Sequence, residues 1–206
     1  MQIDNVLFDL GGVLYEIAPD KMQNAFLQLG EKYGASLSRP EIFAVFEDME
    51  RGLFGEAEFF DALRSAADMP ATDDELRAAW NAVLVGPYSY AARLSAAAAV
   101  GRRVALLSNT NLLHYRQFIT ETQAIFAPME RLFFSFEIGR RKPDRTAFEF
   151  VVESMSLAPE RTLFVDDSLV NVEAARRMGF RVYHATAPQK MVADLSAWLT
   201  LPDPKI

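Results

Sequence analysis

Three short apolar runs in this chain stop on polar residues. Val6-Leu7-Phe8 ends at Asp9, Val104-Ala105-Leu106-Leu107 ends at Ser108, and Leu163-Phe164-Val165 ends at Asp166-Asp167. Runs of this length without polar alternation suit strands buried on both faces, as in a parallel sheet covered by helices. Such strands deliver their last residues to one carboxyl edge, where α/β sheets bind ligands. Gly11-Gly12 follow Asp9 and let the backbone turn tightly beside whatever is bound.

The stretches between these runs alternate in kind. Residues 89–100 are an alanine-rich helix, and 112–122 a polar helix or irregular segment. Residues 132–135 are a short strand, and 143–156 a helix with Phe148, Val151, Val152 and Met155 on one face. Residues 171–178 form a helix closed by Gly179, 180–184 a last strand and 191–199 a last amphipathic helix, before a frayed tail at 202–204. Strands alternating with helices predict a parallel sheet with right-handed crossovers.

Residues 16–86 break the alternation and read as helical throughout. Pro19-Asp20 opens a helix carrying Met22, Phe26 and Leu29. Ser38 is the expected N-cap of a second, with Pro40 in its first turn and Glu41 in the capping-box position. Residues 56–67 are a third helix, and Thr72-Asp73-Asp74-Glu75 caps a fourth that carries Leu76, Trp80, Val83 and Leu84. The segment follows the first strand directly, so it is placed to lie over that strand's carboxyl end. Phe59, Phe60 and Trp80 read as its core, His114 as a surface helix residue and His184 as structural.

Composition narrows the function. Among 206 residues the formal net charge is -7, which disfavours broad nucleic-acid binding and an anionic membrane surface. With no cysteine there is no disulfide, thiolate zinc site or cysteine nucleophile. No basic-then-apolar leader is visible and no apolar run is long enough to cross a bilayer, so the expected compartment is the cytoplasm. No signal separates a monomer from a homodimer.

The strand-end acids carry the chemistry. Two adjacent carboxylates closing a buried strand are costly unless a cation sits with them. Several acids with one lysine, Lys142, and one hydroxyl suit a hard divalent ion, and Mg²⁺ takes carboxylates, a backbone carbonyl, waters and phosphate oxygens.

Four motifs in order, Phe8-Asp9-Leu10-Gly11-Gly12-Val13, Leu107-Ser108-Asn109, Arg141-Lys142-Pro143-Asp144 and Val165-Asp166-Asp167-Ser168, resemble those of the haloacid dehalogenase-like hydrolase superfamily. Its members are mostly Mg²⁺-dependent phosphatases with a helical cap. The resemblance implies a three-layer Rossmann-like α/β core, residues 1–15 and 87–206, with strand order 3-2-1-4-5 and a four-helix cap at 16–86. It implies Asp9 as nucleophile. Asp9, the Gly11 carbonyl and Asp167 would be direct metal ligands, with Asp166 acting through water or Lys142. Ser108 and the Asn109 amide would hold the phosphoryl group, and Lys142 would neutralise its charge. Asn171 would orient Asp166 or Asp167.

One position departs from the family pattern. Most such phosphatases carry a second Asp two residues after the nucleophile, as proton donor to the leaving group, and here that residue is Gly11. Either the substrate has a good leaving group, or Glu16, Asp20, Glu47 or Glu50 supplies the proton, or the chain is impaired. The Asp-Leu-Gly of motif one resembles the branch containing α-glucose-1-phosphate phosphatases. The expectation is therefore a Mg²⁺-dependent phosphatase for a small phosphorylated metabolite, a hexose 1-phosphate favoured. Glu16, Arg51 and Asn111 are candidates to touch substrate. The alternatives are a metal-independent 2-haloacid dehalogenase, which the acid pair opposes, and an interaction module that has lost catalysis.

Overall fold

Every second residue along the central strands faces the same layer. The computed structural model describes residues 2–35 and 40–199. Its main sheet is built from β1 (Asn5–Phe8), β4 (Arg103–Ser108), β5 (Arg131–Phe134), β6 (Thr162–Asp166) and β7 (Arg181–His184), in the order β5-β4-β1-β6-β7. All four pairings are parallel, and the order is the expected 3-2-1-4-5. Val6, Phe8, Leu106 and Val165 pack on one face with α5 (Ala91–Ala98) and α11 (Pro188–Trp198). Leu7, Leu107 and Phe164 pack on the other with α9 (Arg145–Met155) and α10 (Leu169–Arg177). Two-sided burial explains why these runs lack alternation. None of the described helices is long and apolar enough to cross a membrane.

Residues between the first and second core strands form α1 (Pro19–Tyr33), α2 (Pro40–Glu50), α3 (Glu56–Ala67) and α4 (Asp73–Asn81). These helices share a separate apolar cluster centred on Phe26, Phe59, Phe60, Leu63, Leu76 and Trp80, with Leu113 contributed from outside. The capping box expected at Thr72 is present: Glu75 N–H donates to Thr72 Oγ1 at 3.3 Å and Thr72 N–H donates to Glu75 Oε2 at 2.8 Å. The N-cap expected at Ser38 and the tail at 202–204 lie outside the described residues.

The segment is not helical to its ends. Its first residues, β2 (Tyr15–Ile17), pair antiparallel with its last, β3 (Leu84–Pro87). Leu84, expected in the fourth helix, is therefore in a strand. Gly86 and Pro87 resist helix continuation, and the entering and leaving chains satisfy each other's backbone groups where they meet the core. Among the described residues three further short α-helices, α6 (Leu112–Phe118), α7 (Gln123–Phe126) and α8 (Ser135–Ile138), and a 3-10 turn at Pro159–Arg161 join these elements, α8 starting where the 132–135 strand was expected to end.

Candidate active site

Register brings the acids together. Phe8 pairs with Val165, so one step further along each strand Asp9 lies beside Asp166. Lys142, from the loop before α9, reaches between them: its Nζ is 2.8 Å from Asp9 Oδ1 and donates to Asp166 Oδ2 at 2.6 Å. Read alone, Lys142-Pro143 favours a solvated helix start. In the fold the lysine is 1 % exposed, which is tolerable because two carboxylates receive its charge. Asn109 brackets it, donating from Nδ2 to the Lys142 carbonyl and accepting the Lys142 N–H at Oδ1, both at 2.8 Å. The Asn109 side chain thus sets the position of the lysine, a role the motif did not announce.

The two motif-four acids differ in surroundings. Asp166 is fully buried and also accepts from the Ser168 N–H at 2.8 Å and from Asn171 Nδ2 at 3.1 and 3.2 Å. Asp167 is exposed, and its carbonyl accepts from His184 Nε2 at 2.9 Å. Gly12, at φ +68, leaves room for the Asp167 carboxylate, since a Cβ there would stand 2.3 Å from Oδ2. Among the described residues no backbone N–H donates to the Gly11 carbonyl.

Three carboxylates face one ammonium. Oxygens of Asp9, Asp166 and Asp167 lie within 4.8 Å of one another. Burial lifts the Asp9 carboxyl from 3.8 to about 7, against the pull of Lys142 and with the push of Asp166 and Asp167. Although the residue is exposed, partial desolvation of its carboxylate raises Asp167, and the neighbouring Asp166 adds to this. The Lys142 ammonium is raised too, because attraction to Asp9 and Asp166 outweighs the burial that opposes it. The excess negative charge and the all-oxygen donor set fit a hard dication such as Mg²⁺.

Beside Gly11, Ser108 and Asn109 opens a cavity of about 170 Å³, walled by Ile17 and Leu84 of the strand pair and roofed by Glu50 and Trp80. Ile17 Cδ1 would be 3.2 Å from a Cβ at Gly11, so the wall takes the space of the absent side chain. His114 also lines the cavity, correcting the surface reading. It stacks on Trp80 with centroids 4.9 Å apart, its Nδ1 accepts from Asn111 Nδ2 at 2.9 Å, and its Nε2 donates to the Trp80 carbonyl at 3.1 Å. Burial lowers it to about 4, leaving a neutral ring with both nitrogens engaged.

The remaining candidates stand apart from the cavity. Asn111 uses its Oδ1 to accept from Trp80 Nε1 at 3.2 Å and from the Leu113 and His114 N–H groups, so it caps α6 and ties it to α4. Arg51 pairs with Glu47 at 3.2 Å and Asp144 at 3.6 Å, and Glu16 and Asp20 are exposed. Of the four acids considered as proton sources, Glu50 is the one that lines the cavity. Its partner Arg141 went unrecognised as such. The arginine was visible in motif three, but nothing local pairs it with a residue 91 positions earlier.

The haloacid dehalogenase-like hydrolase family model matches residues 3–179. The chain is 29% identical over 191 residues to a D-ribitol-5-phosphate phosphatase of Bacteroides thetaiotaomicron, covering 88% of this chain and 91% of that protein. The crystal structure of a haloacid dehalogenase family enzyme of the same organism, in a magnesium complex, superposes with a TM-score of 0.79 at 30% identity, over 89% of this chain and 93% of that one. A predicted haloacid dehalogenase-like family hydrolase of Porphyromonas gingivalis superposes with a TM-score of 0.75 at 26% identity, over 89% and 91% of the two chains. The strand-end acids and the match along most of the sequence agree: this chain belongs to the haloacid dehalogenase-like hydrolases.

Proposed function

We propose that the protein is a Mg²⁺-dependent phosphatase that hydrolyses a small sugar or polyol phosphate through an aspartyl-phosphate on Asp9. The observation that carries this reading is the buried Asp9–Lys142–Asp166 chain, with Asp167 beside it, at the carboxyl edge of the sheet. An Asp9 oxygen attacks phosphorus in line, the ester oxygen leaves with its electron pair and takes up a proton, and water then releases phosphate and restores the carboxylate. Asp9, Asp167 and the Gly11 carbonyl would hold the ion, with Asp166 anchoring Lys142 behind them. When bound, the ion offsets the repulsion between the attacking carboxylate and the phosphate. Ser108 and the Asn109 amide hold phosphoryl oxygens, and Lys142 stabilises the charge they gain in the transition state.

The helices α1–α4 act as the cap that covers this edge. A cavity of about 170 Å³ lies below the usual ~300–1,000 Å³ of drug-sized pockets, so it suits a leaving group no larger than a single sugar or polyol. Hexose 1-phosphates remain the favoured class, with a good leaving group to compensate for Gly11. The polyol phosphate in the name of the Bacteroides relative extends the class to open-chain substrates. The dehalogenase reading is disfavoured by the Asp166-Asp167 pair, which attack on carbon does not need. The interaction-module reading is disfavoured by a buried charge cluster that a binding surface has no use for.

The test is phosphate release from a panel of sugar, polyol and acyl phosphates, with Mg²⁺ and with EDTA, for wild type and Asp9→Asn. Metal-dependent turnover lost in Asp9→Asn supports the proposal. No release from any phosphate, acetyl phosphate included, overturns it.

A further inference from the structure

Glu50 stands where a carboxylate does nothing for its own helix. It is the last residue of α2, at the negative end of the helix dipole, where an acid is disfavoured. It lies under the tip joining α2 to α3, and that tip is seated tightly. Gly52, at φ +73, lies so close to the backbone of α8 that a Cβ would stand 2.2 Å from the Phe136 carbonyl oxygen. Arg141 reaches from motif three to meet it. Its Nε donates to Glu50 Oε2 at 2.9 Å, its second terminal nitrogen lies 2.9 Å from the same oxygen, and its first lies 2.9 Å from Glu47 Oε1.

The two Arg141 contacts converge on one oxygen of Glu50. Among the described residues no hydrogen bond is recorded to Oε1, and Glu50 lines the cavity that begins at Gly11, Ser108 and Asn109. Asn109, His114 and Tyr15, which also line that cavity, are already committed, while the Ser108 and Thr110 hydroxyls lie at its phosphate end. Asn109 brackets Lys142, His114 has both nitrogens engaged, and the Tyr15 hydroxyl donates to Glu121. Burial raises the Glu50 carboxyl while Arg141 opposes it.

We infer that Glu50, oriented by Arg141, selects the substrate's leaving group. Its open oxygen accepts hydrogen bonds from hydroxyls and repels a second anionic group, so the enzyme takes neutral polyhydroxylated phosphates and rejects phosphorylated carboxylic acids. This rests on the phosphatase reading and adds to it a specificity-determining residue and a charge rule. A partly buried acceptor left without its hydroxyl discriminates, because the polar group then stays unsatisfied.

Three phosphates with five carbons and a terminal phosphate separate the possibilities: D-ribitol 5-phosphate, pentyl phosphate without hydroxyls, and D-ribonate 5-phosphate with a carboxylate. Acetyl phosphate reports the basic chemistry. Wild type is expected to favour the ribitol ester over each of the other two by at least about 100-fold in kcat/KM. Glu50→Gln, which keeps the shape and removes the charge, should narrow the ribitol-to-ribonate ratio at least tenfold. Calorimetric binding of the same esters to Asp9→Asn gives the same ranking without turnover. Equal use of the ribonate ester by wild type overturns the inference, as does a uniform loss on all three in Glu50→Gln, the signature of a merely structural or proton-donating role. Turnover of acetyl phosphate with none of the three, and none of glucose 1-phosphate, also overturns it and leaves the phosphatase reading standing. Failure on acetyl phosphate as well removes the phosphatase reading itself.

Discussion

The sheet edge and the roof above it are held by different physics. At the edge, Asp9, Lys142 and Asp166 are almost fully buried and lie within hydrogen-bond reach along one chain of contacts, on strands whose register leaves no freedom. Across the cavity, the α2–α3 tip meets the core through partly exposed pairs, Arg141 with Glu47 and Glu50, and Arg51 with Asp144. Exposed pairs of this kind contribute ~0–1 kcal/mol each, whereas breaking a buried pair costs ~3–5 kcal/mol. The edge is therefore suited to fixed chemistry, and the roof to admitting and choosing substrates. The proposed phosphatase uses both, and each can be damaged without the other.

The largest break in that contrast is expected from Lys142→Met. It leaves Asp9 and Asp166 buried without their shared cation, so stability in urea should fall by ~3–5 kcal/mol and turnover by at least ~10²-fold. Retained turnover would show that the lysine serves packing rather than charge.

Gly12→Ala acts at the exposed acid of the edge. The left-handed backbone costs a non-glycine residue ~1–2 kcal/mol, and the new methyl must displace the Asp167 carboxylate. Mg²⁺ affinity by calorimetry should fall ~10–100-fold, the range seen when a ligand's supporting contacts are lost. Unchanged affinity would remove Asp167 from the ligand set.

The pH dependence of the metal-free protein sharpens the same point. Between 3.8 and about 7 the folded state holds a proton on Asp9 that the unfolded state has released. Stability on this account declines as pH rises through that window and levels off above it, at up to ~1.4 kcal/mol per unit. His114 works in the opposite direction from about 4 to 6.5, because its folded form is the neutral one. The readout is therefore the difference between wild type and Asp9→Asn in urea titrations. The variant should lack the decline, and Mg²⁺ should reduce it in wild type.

The smallest effect is expected from the roof. Gly52→Ala forces the tip away from the Phe136 carbonyl. KM for the preferred ester should rise several-fold while Mg²⁺ affinity stays as in wild type. A matching loss of Mg²⁺ affinity would show that roof and edge are not separable.

Much of the edge was legible before the fold was known, because its signals are local. An apolar run that stops on an acid marks a buried strand and its end, and Thr72 with Glu75 announces a helix start within four residues. The positions of Asp9, Ser108, Asp166 and Asp167 on one sheet edge follow from those local signals and from the parallel topology. Other features depend on which distant segments meet. The burial of Lys142 requires two acids from two other strands, and alone its motif resembles a solvated helix start. His114 looks like a surface residue until Trp80, 34 positions away, stacks on it. The pairing of β2 with β3 overrides a helical pattern because the two ends of one excursion must leave and rejoin the core side by side. Residue types and their order along the chain determined the strands, the acids and the family. Only the tertiary structure decided that Glu50 and Arg141 share a salt bridge at the cavity, since long-range register, which no local pattern encodes, sets which charges meet.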